Sequence, residues 1–205
     1  MYIELGRITF YIRLSFAVFF AFAANSSEGF SFVLTFLSAF FHELIHLFLL
    51  FRYGCKNAIL DFYPGGVKIK TEGFSMLSYE KAVICTISAP VMNIIAGAVF
   101  FVLWKKAGSD IFYKAFAVNA VIGGGNLLPM QFLDGGRALN AFLMKYFSEE
   151  KVRRLCDFLS VFTLLLMLVV FLLMLINGKK YIFLLFFFFY CTLGCFSDKR
   201  DMSVT

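Results

Sequence analysis

The sequence predicts an all-α polytopic membrane protein of about six transmembrane helices, with a short β-hairpin or re-entrant segment between two of them. The first observation is composition: 61% of the 205 residues are hydrophobic and mean hydropathy is +0.84, whereas soluble domains sit near about 45–50% apolar. The second is segmentation, because apolar runs close to the ~20 residues that a bilayer helix needs recur along the chain. The third is the asymmetry of the cations. With the N-terminus in the cytoplasm, five of the 19 Lys and Arg (Lys105, Lys106, Lys114, Lys179, Lys180) fall in outer loops and the other fourteen fall inside. That bias predicts cytoplasmic N- and C-termini.

The first span is expected from about Thr9 to Ala24, with Arg13 snorkelling toward a headgroup. Arg7 and Arg13 before an apolar stretch, and Ala21-Phe22-Ala23 after it, loosely resemble a signal peptide. A second apolar segment follows almost at once, as it does after a retained span. That second span runs from about Gly29 to Phe51. Between it and the third lie Ile59-Leu60-Asp61-Phe62-Tyr63 and Val67-Lys68-Ile69-Lys70 around Pro64-Gly65-Gly66. The turn residues and the alternation of the second arm predict a hairpin at the cytoplasmic interface. The third span is expected from about Ala82 to Trp104. The fourth runs from about Ile111 to Met130 and ends irregularly, because Gly123-Gly124-Gly125 and Pro129 break it. The fifth runs from about Leu155 to Ile176 and the sixth from about Tyr181 to Phe196. Both are Phe- and Leu-rich, which suits lipid contact. The whole chain reads as one domain, 1–205, with no separate soluble domain.

The net charge of +6 is spread over short loops, with no basic block interleaved with aromatics. It argues for topology and against nucleic acid. The five cysteines are odd in number and form no Cys-x-x-Cys, which predicts reduced thiols and no disulfide framework.

The chain has two histidines, and both lie in His42-Glu43-Leu44-Ile45-His46, inside the second span. On a helix, positions i and i+4 share a face, so both imidazoles can reach one metal ion. Glu43 sits about 100° around the axis, close enough to serve a water at that ion. Ionisable groups within an apolar span are costly, and the cost is a functional clue. A catalytic zinc usually takes three protein ligands. With no third histidine, the remaining ligand is an acid or a cysteine. Among the 13 acids, Asp134 stands out. It follows the broken end of the fourth span, and non-helical backbone at membrane depth is tolerated where it lines a cavity or water.

His-Glu-x-x-His in an early span and Asn126-Leu127-Leu128-Pro129 … Leu133-Asp134-Gly135-Gly136-Arg137 in a later one resemble the site-2 protease family of intramembrane zinc metalloproteases. The similarity is greatest to the bacterial branch that processes sporulation sigma factors. Ala89-Pro90-x-x-Asn93 and Tyr63-Pro64-Gly65-Gly66 resemble two further motifs of that family, and the likeness covers roughly Phe30 to Leu143. Phe132 stands where many members have proline.

The resemblance implies one catalytic Zn²⁺ on His42, His46 and Asp134, with Glu43 as general base. It implies a membrane-associated protein substrate, a sigma-factor precursor in that branch, a site near the cytoplasmic face and a regulatory membrane partner. Asn93 reads either as a hydrogen bond joining spans or as a substrate or oxyanion group. Asn126 either orients the aspartate loop or caps, and Gly65 and Gly66 sit where an extended substrate would pair. The alternative is a non-proteolytic membrane zinc-binding protein or transporter. A transporter would place polar residues on several spans, and here those outside the second, third and fourth are nearly bare.

Overall fold

The computed structural model describes residues 1–64, 66–71, 77–176 and 191–192. They form four strands, β1 (Tyr2–Leu5), β2 (Ile8–Ile12), β3 (Ala58–Tyr63) and β4 (Gly66–Thr71). Six helices accompany them: α1 (Leu14–Ala24), α2 (Gly29–Arg52), α3 (Tyr79–Ala107), α4 (Asp110–Asn126), α5 (Asp134–Met144) and α6 (Glu149–Ile176). The chain divides into two compact units, Met1–Gly125 and Asn126–Thr205.

In the first unit the strands form one sheet in the order β1-β2-β3-β4. The expected hairpin is β3–β4, antiparallel with Asp61 opposite Lys68 and Tyr63 opposite Gly66. The sheet extends further than the sequence suggested. The expected first span begins with β2, which pairs in parallel with β3 (Thr9 with Ile59, Tyr11 with Asp61) and antiparallel with β1. The reason is local. Ile8-Thr9-Phe10-Tyr11-Ile12 is β-branched and aromatic, and Gly6 takes a positive φ of 62° in the two-residue connection from β1, a conformation glycine adopts without steric cost.

The helical remainder, α1, is 11 residues long, about 17 Å at 1.5 Å per residue, short of the ~30 Å hydrocarbon core. One face of the sheet packs Ile8, Phe10, Leu60, Phe62 and Ile69 against Phe16 of α1 and Phe36, Phe40 and Leu47 of α2. On the other face the buried Asp61 accepts two hydrogen bonds from Arg13, at 2.9 and 2.6 Å. Arg13 is therefore tied to the sheet by an ion pair, not left snorkelling. The guanidinium holds the Asp61 carboxyl below its ordinary range, mainly by hydrogen bonding, with Lys70 and Lys68 adding attraction.

Among the described residues, α2, α3 and Glu149–Leu173 of α6 are long and apolar enough to cross a membrane. The first two match the expected second and third spans within a few residues. α4 approaches α3 closely. A Cβ on Gly97 would lie 3.5 Å from the Ala120 nitrogen, and one on Gly123 would lie 2.7 Å from the Pro90 carbonyl oxygen. Small residues at such crossings let the backbones of membrane helices meet.

In the second unit, the chain leaves α4 through a tight turn. The Met130 N–H donates to the Leu128 carbonyl (2.8 Å) and Leu133 N–H to that of Met130 (2.9 Å). It then enters α5, which lies between the expected fourth and fifth spans. Met130, Leu133 and Cys191 form the core there, with Leu164 and Met167 of α6 against them. The expected sixth span, about Tyr181 to Phe196, lies outside the described residues except for 191–192.

Candidate metal centre

α2 carries His42, Glu43 and His46 on consecutive turns. His42 is buried at 3% exposure, and Glu43 and His46 are half-buried. Leu44 faces outward, as the helical spacing requires. The His42 Nδ1 lies 2.7 Å from Asn93 Oδ1 on α3. His46 Nδ1 lies 2.7 Å from the Cys85 carbonyl oxygen, about two turns back along the same helix. A carbonyl oxygen only accepts, so each Nδ1 carries the hydrogen and each Nε2 keeps its lone pair.

The two Nε2 atoms then face each other at 3.2 Å. With Zn–N near 2.0–2.1 Å and tetrahedral angles, two ligand nitrogens stand about 3.3–3.4 Å apart. The observed spacing suits a shared divalent ion. Metal-ligating histidines almost always donate their other N–H in this way, so the pair fits zinc on its own geometry.

Asn93 itself is fully buried. The sequence reading offered it as a substrate or oxyanion group, or as a bond between spans. Its Oδ1 meets His42, and its Nδ2 donates to Asn119 Oδ1 (2.8 Å) and, at 3.4 Å, to the Ser38 carbonyl. Sequence reasoning missed Asn119 and Ser38. An asparagine in the middle of an apolar span was the available signal.

In the second unit Asp134 opens α5 and is 8% exposed. A carboxylate in the first turn is favoured by the helix dipole. Gly135 and Gly136 are required by close approach, since a Cβ on Gly135 would overlap the Leu127 carbonyl and one on Gly136 the Met130 carbonyl. Arg137, beside them, is exposed. Asn126 ends α4 and is half-buried. Gly66 opens β4 with a positive φ of 136°, and Gly65 lies outside the described residues. His42, His46 and Asp134 together are two imidazoles and a carboxylate, a donor set suited to zinc.

Comparison with known proteins agrees on the class of fold. The solved structure of a site-2 protease from Methanocaldococcus jannaschii superposes with a TM-score of 0.63 at 23% identity, covering 95% of this chain and 94% of that one. The chain therefore has a site-2-protease-like fold. A curated zinc metalloprotease of the same archaeon is 31% identical over 134 residues, 60% of this chain. The chain spans 37% of that relative's length. No protein-family model matches.

Proposed function

We propose that this chain is an intramembrane zinc metalloendopeptidase. The observation that carries the reading is the pair of half-buried to buried imidazoles in an apolar span, each held at Nδ1, with their Nε2 atoms 3.2 Å apart. The similarity to a curated zinc metalloprotease supports it. His42, His46 and Asp134 would hold one ion. Bound there, zinc supplies Lewis acidity: it polarises a carbonyl oxygen and lowers the pKa of water toward ~7.

Glu43 is the general base. It takes a proton from the attacking water and delivers it to the departing amine as the peptide bond breaks. Its place one residue from His42 puts it beside the reacting atoms while Leu44 turns to lipid. A transmembrane helix exposes no free amides, so the substrate presents an unwound, extended segment. The β4 edge that begins at Gly66 pairs with it by strand addition, a mode that uses main-chain hydrogen bonds for affinity. Asn126 orients the turn that leads to Asp134.

Six apolar segments embed in the bilayer: α1 to α4, α6 and about 181–196. The termini are cytoplasmic, by the cation bias, and the site opens to that side. The substrate is a membrane-associated protein. Likeness to the sporulation branch makes a sigma-factor precursor the first to try, with a membrane partner regulating access. Glu43→Gln tests the reading. Co-expressed with its precursor, the variant retains zinc and fold and leaves the precursor uncut on a gel; continued cleavage removes Glu43 as the base.

A further inference from the structure

We infer that Asn119 is a positioning residue: through Asn93 it fixes which ring nitrogen of His42 bears the proton, and so which nitrogen is offered to the metal. The inference rests on the metalloprotease reading for its purpose, but its geometry lies wholly within α2, α3 and α4 of the first unit.

A polarity argument runs from the backbone to the ring. An asparagine side chain can turn its oxygen and nitrogen end for end, and an imidazole can hold its hydrogen on either nitrogen. Left to each other, Asn93 and His42 satisfy one hydrogen bond in two ways. Either the ring donates from Nδ1 to the amide oxygen, or the amide NH₂ donates to a bare Nδ1. The second arrangement moves the ring hydrogen to Nε2 and blocks it as a ligand.

What decides between them is a group that cannot reverse. The Asn119 nitrogen Nδ2 lies 2.9 Å from the Ala115 carbonyl oxygen, one turn back on α4. A carbonyl oxygen only accepts, so the NH₂ of Asn119 must point there. Its second hydrogen meets Ser38 Oγ at 3.2 Å. The Asn119 oxygen is thereby turned to Asn93, and at 2.8 Å it demands a donor. Asn93 must present its NH₂ to Asn119, and its oxygen is left for His42 at 2.7 Å. The Ser38 carbonyl, 3.4 Å from Asn93 Nδ2, agrees with that orientation but is too distant to hold it without Asn119.

His42 then has no choice but to carry its hydrogen on Nδ1. His46 needs no such relay, because its Nδ1 meets the Cys85 carbonyl directly. All four polar side chains of the relay, Ser38, His42, Asn93 and Asn119, are buried, so water does not offer an easy substitute partner. The close crossing at Gly97 and Gly123 is what brings Asn119 against Asn93.

The test uses the fact that the chain has two histidines. In the 205-residue chain labelled with ¹⁵N-histidine, four ring nitrogens are observed, and His46→Gln assigns them. Spectra of the zinc-free protein, taken well above the ordinary imidazole pKa of ~6.5, report the tautomer. Zinc affinity is measured in parallel by chelator competition. Wild type shows His42 protonated at Nδ1. Asn119→Leu gives a mixture of tautomers and binds zinc about 10–100-fold more weakly. Adding Asn93→Asp to that variant returns His42 to the Nδ1–H form and brings affinity back to within about threefold of wild type, because a carboxylate can only accept.

A purely structural Asn119 would not be rescued by a change at Asn93. Wild-type His42 protonated at Nε2 overturns the inference even if every variant fails to fold. So does a folded Asn119→Leu protein with an unchanged tautomer and affinity. If wild type binds no zinc, the metalloprotease reading falls while the tautomer result still decides the relay.

Discussion

Two glycines on the α3–α4 crossing should respond in opposite directions to the same added methyl group. At Gly123 the new Cβ would stand 2.7 Å from the Pro90 carbonyl oxygen and 2.9 Å from Ile94 Cγ1. One of these neighbours is backbone of the facing helix and cannot rotate aside, so the helices must separate. Overpacking of this kind costs about 1–3 kcal/mol, and a rigid backbone neighbour puts Gly123→Ala near the upper end. The helix-propensity gain of alanine over glycine returns about 1 kcal/mol, leaving a net loss near 2 kcal/mol.

At Gly97 the nearest atoms would be 3.5–3.6 Å away, ordinary contact. Gly97→Ala keeps the propensity gain, so it is neutral or stabilising by up to about 1 kcal/mol. Reversible unfolding in mixed micelles, followed by the fluorescence of Trp104 on α3, measures both. The two variants should differ by about 3 kcal/mol, with Gly123→Ala the weaker. Equal effects would refute the close approach, and with it the reason that Asn119 reaches Asn93.

Gly136→Ala would press its methyl on the Met130 carbonyl and should cost roughly 2–3 kcal/mol, read by the same unfolding assay; a neutral result removes the tight entry to α5. Asp134→Ala should lower zinc content in the purified protein, and full occupancy would point to another ligand. The Asp61 carboxyl is held below its ordinary range by Arg13, so that contact stabilises the fold above the usual carboxylate range and fades as pH falls through the lowered value. Arg13→Met should therefore lose stability relative to wild type near neutral pH, with the gap closing in acid. A gap that is constant with pH would show that the pair contributes no linkage.

How much of this was legible depended on the range of the signal. α2 and α3 were readable because long apolar runs permit little besides a membrane helix. The β3–β4 hairpin was readable from Pro64-Gly65-Gly66 and the alternation beside it. β2 was not, because Ile8–Ile12 is as apolar as the helix that follows, and only pairing with β3 decides for strand. α5 was hidden by its glycines, which mark a break in sequence but serve close packing in the fold. His42 and His46 announced themselves by spacing. The Nδ1 partners did not, since Cys85 contributes a backbone carbonyl that no side-chain pattern encodes, and Asn119 acts from 26 residues beyond Asn93 through a bond only tertiary structure makes.

Zinc K-edge X-ray absorption on the purified, zinc-loaded protein probes the metal's ligands most directly. The account predicts a first shell of nitrogen and oxygen near ~2.0–2.2 Å with the outer-shell signature of two imidazoles. A sulfur scatterer near ~2.3 Å, or fewer than two imidazoles, would contradict a site built from His42, His46 and Asp134.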